Sequence, residues 1–230
     1  TTAILNTRFG IPVLALLPVA ALSAGLFAFL VTSPVIHLRG DYLCIVTIGM
    51  GEIVRLALIN NPFGLTGGPN GVYGIASPTL GFLAIDTPRG HYFLVWSVVG
   101  LAILALRRLQ HSRIGRAWNC IREDEVAAEA MGIHTRNVKL LAFAMGATFG
   151  GLGGGLFAAF QGFVSPESFT LMESIMILCM VVLGGMGHIP GVVLGAVLLT
   201  VLPELLRYIG PLQDALFGRV VVDPSDLRML

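Results

Sequence analysis

Three long stretches of the sequence contain no charged side chain. No Asp, Glu, Lys or Arg occurs in residues 56–85, 140–166 or 174–203. Each stretch exceeds the roughly 20 apolar residues that a helix needs to cross the hydrocarbon core of a membrane. Over the whole chain 12% of residues are charged, whereas a soluble globular domain has about 25%. The sequence therefore predicts an integral membrane protein.

The apolar stretches are continuous, which favours helices over a β-barrel, whose strands alternate apolar and polar residues. We expect spans at 11–32, 42–60, 92–106 and 140–164. The last apolar block, 171–202, is longer than one span and is interrupted by LGGMGHIPG, which predicts two helical pieces, joined either as a tight hairpin or as a half-membrane re-entry. The predicted fold is all-α, a polytopic membrane helical bundle with this broken or re-entrant segment.

The region 61–90 is rich in Gly and Pro and poor in charge. Ordinary exposed loops are more polar, so we interpret it as irregular backbone partly at membrane depth. Such backbone is tolerated where protein buries it or where water reaches it. The GLTGGPNG stretch within it lacks the Lys and Ser/Thr that complete a phosphate-binding P-loop.

The segment 107–139 concentrates charge. It holds seven of the 14 Lys and Arg residues of the chain and four of the 13 Asp and Glu residues. The positive-inside rule predicts that this loop is cytoplasmic. Counting spans backwards then places 61–90 outside and 33–41 inside. The net charge of +1 gives no reason to expect a nucleic-acid partner.

A short helix is predicted inside this loop. The acids Glu123, Asp124 and Glu125 precede a run of good helix formers that ends at Gly132, which are the start and stop signals of a helix. Such a short helix is not stable in water on propensity alone. We therefore expect a small-residue face on Ala127, Ala128 and Met131 to dock onto a partner. The alternative is a merely solvated loop.

Two sets of glycines recur at four-residue intervals, a spacing that lets another helix backbone approach closely. They are Gly146, Gly150, Gly154, and Gly187, Gly191, Gly195. The sets fit either a sliding interface or static close packing. In both cases a bulky residue at Gly150 is predicted to damage assembly.

Three polar side chains in apolar surroundings are candidates for influencing the transport pathway. Glu52 and Arg55, three residues apart on one helix face, either line a pathway or form an ion pair that faces the bundle interior. His188, at the break in the last block, either titrates or binds substrate, or it caps broken backbone. The sequence offers no nucleophile with a base, no paired carboxylates and no metal-ligand spacing, which argues against catalysis and against a metal site.

Several stretches together carry a family resemblance: LRGDYLCIVTIGMGEIVRLALIN, LTGGPNGV, SRIGRAWNCIREDEVAAEAMGI, KLLAFAMGATFGGLGGGLFAAF and VVLGGMGHIPGVVLGAVLL. In this order they resemble the branched-chain amino acid permeases of ABC importers, over about residues 5–208. The short loop helix resembles the "EAA" loop of such permeases. The match implies a single transmembrane permease domain over 1–230, with the coupling loop 107–139 inside it. The family's first helices are expected before this chain and its last membrane helix after it.

The resemblance implies a set of partners in the bacterial inner membrane. A second, similar permease subunit would pair with this one, two cytoplasmic ATPases would bind ATP and Mg, and a periplasmic binding protein would deliver Leu, Ile or Val. The chain would carry no cofactor of its own. The coupling contact carried over from the family consists of Arg116, Trp118, Arg122, Glu123, Asp124, Glu125, Ala127, Ala128, Glu129, Met131 and Gly132.

Three rivals stay open at this point. Relatives with similar membrane subunits carry urea, short amides or other amino acids. An ion-coupled secondary transporter would use Glu52 and Arg55 and would need no ATPase. A membrane enzyme is a third class, opposed by the missing catalytic constellation. The exposed loop helix discriminates among them, because only an ATP-driven permease needs such a docking element.

Overall fold

The computed structural model of the chain describes residues 1–38, 41–61, 64, 66–76, 79–80, 83–84 and 87–217. Its helices are α1 (Thr2–Phe9), α2 (Val13–Thr32), α3 (Asp41–Ile59), α4 (Pro88–Gln110), α5 (Arg113–Glu123), α6 (Glu125–Ala130), α7 (Thr135–Gln161), α8 (Leu171–Gly184) and α9 (Ile189–Phe217). The described strands are β1 (Val72–Tyr73), β2 (Thr79–Leu80), β3 (Leu83–Ala84) and β4 (Phe163–Val164). The chain divides into two compact units, Thr1–Leu171 and Met172–Leu230. The predicted all-α class is confirmed.

Four of the described helical segments are long and apolar enough to cross a membrane: Val13–Thr32, Pro88–Gln110, Thr135–Gln161 and Pro166–Gly184. The third predicted span, 92–106, is longer than expected, because α4 has 23 residues. Its start is set by Thr87, whose side chain accepts a hydrogen bond from the Gly90 N–H, and by Pro88 in the first turn, where a missing N–H costs nothing. The multi-span prediction is confirmed.

The segment before α2 lies outside the predicted spans and contains the eight-residue helix α1. Asn6 explains its position. This buried side chain donates from Nδ2 to the carbonyl oxygen of Ile11 at 2.8 Å and accepts from the Ala76 N–H at 2.8 Å. Because a buried amide must be hydrogen-bonded, Asn6 ties α1 both to the start of α2 and to the Gly- and Pro-rich region.

The Gly- and Pro-rich region is irregular, as predicted, in the part that the structure describes. Residues 62–63, 65, 77–78, 81–82 and 85–86 lie outside that part. Strand β1 pairs antiparallel with β4, with Val72 opposite Val164. A Cβ at Gly71 would strike the Val164 carbonyl, so only glycine permits this approach. A small apolar core, Ala3, Val13, Ile75, Ala158 and Ala159, covers the pairing. Protein therefore buries part of this irregular backbone, at Gly71 and Ile75, while Tyr73 stays exposed.

Helices α2 and α7 form the main helix pair of the first unit, and glycines set their separation. A Cβ at Gly151 would lie 2.6 Å from the carbonyl oxygen of Ala20, and one at Gly155 would lie 2.8 Å from a methyl group of Leu17. On α2, Gly25 faces Thr148 in the same way. Contacts this short show that the two helices touch at backbone distance, the arrangement that small residues permit.

The glycines of α7 that were predicted to pack against another helix make no close contact within the described part of this chain. A Cβ at Gly146, Gly150 or Gly154 would meet no atom within 4 Å, so these glycines do not hold α2. The stretch GGLGGG contains two pairs of glycines four apart, and the second pair, Gly151 and Gly155, makes the contact. Within this chain a bulky residue is therefore expected to disrupt packing at Gly151, and the effect of one at Gly150 on assembly stays a prediction.

In the second unit, α8 and α9 are the two helical pieces expected from the break in the last apolar block. The backbone of Gly184 lies against Gly191 and Val192, and Gly195 lies against the Met180 carbonyl and Gly184. The connecting turn contains two positive-φ glycines, Gly185 at 88° and Gly187 at 94°. Of the two alternatives, the structure adopts the tight hairpin. Gly187 belongs to the turn, not to the packed helix face.

Candidate functional site

The charged loop begins with a sharp turn from α4 into α5. The Ser112 hydroxyl donates to the Leu109 carbonyl at 2.6 Å and accepts from the Gly115 N–H at 3.2 Å, so it serves both helix ends. A Cβ at Gly115 would collide with the carbonyls of Leu109 and Gln110. A glycine at this position therefore lets α5 fold back against the last turn of α4.

The residues before the short helix form the 11-residue helix α5, which was not predicted from the sequence. The overlooked signal is the recurrence of Ile114, Ala117, Trp118 and Ile121, which is the spacing of one helix face. The Trp118 indole donates from Nε1 to the carbonyl oxygen of Val138 at 2.9 Å. Arg116 is exposed and donates to the His111 carbonyl at 3.1 Å. Trp118 thus fastens α5 to α7.

The predicted short helix is present as α6, but it begins at Glu125, and Glu123 ends α5. Asp124 is its N-cap, with Oδ1 accepting from the N–H groups of Val126 at 2.8 Å and Ala127 at 3.1 Å. At the other end Gly132 has φ 83°. The N–H groups of Gly132 and Ile133 donate to the carbonyls of Glu129 and Ala128, the pattern of a Schellman motif. Both ends of α6 are therefore capped.

One side of α6 faces its own chain. Ala128 is 2% exposed. Glu125 forms a salt bridge of 2.6 Å with Lys139, both partly buried, and the Thr135 hydroxyl donates to Glu129 Oε1 at 2.6 Å. The expectation that Ala128 belongs to a docking face is therefore wrong, because this side chain packs inward. Glu125 is likewise engaged within the chain and is not a free acid for a partner.

The opposite side of α6 is an apolar surface open to solvent. Val126 is 66% and Met131 is 79% exposed, and Ala127 and Ala130 are exposed between them. We call these four residues the exposed α6 face. Exposed charged residues stand beside it: Arg122, Glu123 and Asp124. An apolar centre with a polar rim is the composition of a protein interface.

The Glu125–Lys139 pair predicts a charge-swap result. Glu125→Lys places two ammonium groups together and should lower the free energy of unfolding by on the order of 1 kcal/mol, since partly exposed pairs contribute little more. The double variant Glu125→Lys/Lys139→Glu should restore most of that loss. Thermal unfolding with hydrogen exchange of the α6 amides measures both. A double variant as unstable as the single one would contradict the pairing.

The candidate pathway residues belong to different units of the chain: Glu52 and Arg55 to the first, and His188 to the second. Glu52 and Arg55 form a closed intrahelical pair, in which Arg55 Nη2 is 2.6 Å and Nε is 3.0 Å from Glu52 Oε1. His188 lies in the turn before α9. Its carbonyl accepts from the Val192 N–H at 3.1 Å, and its side chain is exposed.

An apolar cavity of 320 Å³ lies between α2, α3 and α7. Its lining includes Phe27, Val31, Val46, Met50 and Phe143. Neither Glu52 nor Arg55 is among the described residues that line it. Within the described ranges, no group of three or more His, Cys, Asp or Glu could hold a metal ion.

These features define a class: a multi-pass α-helical membrane protein with a braced, partly apolar helix in its charged loop. Comparison with known proteins identifies the family. The sequence profile of the family described as branched-chain amino acid transport system / permease component matches residues 1–222. The chain belongs to this family, whose members are transport proteins rather than enzymes.

Individual relatives agree. The chain is 42% identical to the high-affinity branched-chain amino acid transport system permease protein LivM of Escherichia coli K12, across 96% of this chain and 57% of that protein. It is 28% identical to a probable LivM of Methanocaldococcus jannaschii, across 90% of this chain and 63% of that protein. The permease protein LivH of Salmonella typhimurium is 36% identical, across 49% of this chain and 36% of that protein. The chain thus spans a little over half the length of the LivM of E. coli. No solved structure matches it.

Proposed function

We propose that this chain forms part of a permease subunit of an ABC importer in the bacterial inner membrane, which translocates leucine, isoleucine and valine. The printed names of its LivM and LivH relatives describe branched-chain amino acid permeases. The observation in the structure that supports the proposal is the exposed α6 face. A permease driven by separate ATPases needs such a contact, whereas an ion-coupled transporter does not.

The proposed partners follow from the same reasoning. A LivH-like subunit pairs with this one in the membrane, and a periplasmic binding protein delivers the amino acid. Two ATPases, which hold ATP and Mg, receive the exposed α6 face, with Glu123 and Asp124 orienting them through their charge. Trp118, Glu125 and Glu129 act from behind, by holding α5 and α6 against α7. Arg122 completes the contact on its exposed side, and Arg116 supports it from the start of α5, where it donates to the His111 carbonyl.

The membrane-spanning helices would move in response to the ATPases and would form the path of the substrate. The open glycine row on α7, Gly146, Gly150 and Gly154, is available to a neighbouring helix of the partner permease subunit. Glu52, Arg55 and His188 influence the pathway. The cavity between α2, α3 and α7 offers an aliphatic side chain an apolar surface, which fits a branched-chain amino acid.

Transport by the assembled complex tests this proposal. The full-length subunit is purified with its partner permease and ATPases and reconstituted into proteoliposomes with the binding protein. ATP-dependent uptake of labelled leucine, which isoleucine and valine inhibit and urea and acetamide do not, is expected. Inhibition by urea or acetamide would assign the related small substrates instead. Uptake driven by an ion gradient in the absence of ATPases would favour the secondary transporter.

A further inference from the structure

Four exposed arginines surround the junction between α4 and α5. Arg107 and Arg108 lie in the last turn of α4, and Arg113 and Arg116 lie in the first two turns of α5. We call them the arginine surface. Because Gly115 contacts the carbonyls of Leu109 and Gln110, the start of α5 stays beside the end of α4, and the two pairs of arginines remain close together.

No acid in the neighbouring sequence balances these charges. Residues 87–122 contain no Asp or Glu, and the formal net charge of the whole chain is +1, so four positive charges here are a strong local excess. Of the four acids that follow, three have partners within the chain: Asp124 caps α6, Glu125 pairs with Lys139, and Glu129 accepts from Thr135. The fourth, Glu123, is exposed at the far end of α5. Among the described residues, the salt bridges involve none of the four arginines. Arg116 donates to the His111 carbonyl, which carries no formal charge.

The position of the surface indicates which anion it meets. The apolar part of α4 ends where Arg107 begins, in a helix long and apolar enough to cross a membrane. Arginines in this position stand at the level of the lipid headgroups. A guanidinium group presents paired N–H donors that match a phosphate.

We propose that the arginine surface binds the phosphate groups of anionic phospholipids at the membrane boundary. Bound lipid neutralises the four charges and holds the start of α5 at a fixed height beside the membrane. Since α5 leads directly into α6 through Asp124, the same contact sets the height of the exposed α6 face. The proposal does not depend on which substrate the permease carries.

Lipid retention by the full-length protein tests it. The protein, purified in mild detergent, is incubated with equal amounts of phosphatidylglycerol and phosphatidylcholine, and retained lipid is counted by native mass spectrometry. Phosphatidylglycerol is expected to be preferred. Arg113→Gln should weaken its binding roughly fivefold, and Arg108→Gln/Arg113→Gln roughly 25-fold, since each surface arginine contributes comparably.

Arg136→Gln is the matched control, because it removes the same charge from an exposed position on α7 outside the surface. It should leave phosphatidylglycerol binding unchanged. An equal loss in Arg136→Gln, or no loss in Arg113→Gln, overturns the proposal. It is also overturned if Arg113→Gln keeps its lipid but no longer co-elutes with the ATPases, because the surface would then be a protein contact. An unchanged unfolding temperature shows that each variant is folded.

Discussion

Gly151→Leu is expected to disrupt the first unit of this protein. A side chain at this position begins 2.6 Å from the Ala20 carbonyl oxygen, and backbone cannot move aside as a flexible side chain can. Overpacking a close contact typically costs 1 to 3 kcal/mol, and separation of α2 from α7 would add the loss of their other contacts. We expect the midpoint of thermal unfolding of the full-length protein in detergent to fall by about 5 to 10 °C.

Gly150→Leu is the control for this experiment. It adds the same side chain one residue earlier, where a Cβ meets no atom within 4 Å. The isolated subunit should unfold at nearly its original temperature. If the open glycine row is a subunit interface, Gly150→Leu should instead weaken pairing with the second permease subunit. Equal destabilisation of the isolated subunit by both variants would contradict the α2–α7 register.

In the proposed importer, Met131→Asp is expected to weaken docking of the ATPases on the exposed α6 face. Met131 is 79% exposed, so the change should not disturb folding. In a docked complex it removes an apolar contact worth roughly 1.5 to 3 kcal/mol and buries an unpaired charge. Co-elution of the ATPases should weaken by roughly 10- to 100-fold, and leucine uptake should fall accordingly. Basal ATPase activity of the separated ATPases provides the reference.

Asn119→Asp is a matched control for Met131→Asp. It also adds one carboxylate at an exposed position of the same loop, but on α5 and outside the exposed α6 face. The ATPases should co-elute with it as with the unchanged protein. If Met131→Asp leaves co-elution and uptake intact, the exposed α6 face is not the docking site. If both variants weaken co-elution equally, the cause is the charge of the loop and not the apolar contact.

Much of the fold could be predicted because it depends on composition over long windows. Charge-free stretches identify the spans, and the glycines and proline of LGGMGHIPG mark the hairpin between α8 and α9. The short helix α6 was predictable because its signals, Asp124 before it and Gly132 after it, are local in sequence. These features need no knowledge of which residues meet in space.

What could not be predicted depends on contacts between distant residues. Ala128 is buried because the side of α6 that carries it packs against its own chain, where Lys139 and Thr135 of α7 bind Glu125 and Glu129. Nothing in the sequence near Lys139 or Thr135 indicates these contacts. The glycine register of α7 was ambiguous in the sequence, since Gly150 and Gly151 both begin a four-residue spacing. Helix α1 depends on Asn6, whose partner Ala76 is 70 residues away. The role of each pathway candidate remains a prediction.

Helix α7 begins at Thr135, which bonds to Glu129 of α6, and it touches α2 through Gly151 and Gly155 further along. Its 27 residues make it about 40 Å long. A continuous hydrogen-bonded helix resists bending far more than a loop does. Displacement of α6 by a few ångströms would therefore reach α2 as movement of one stiff rod, almost undiminished and without a relay of side-chain rearrangements. A single helix therefore spans the whole distance between the displaced α6 and the responding α2.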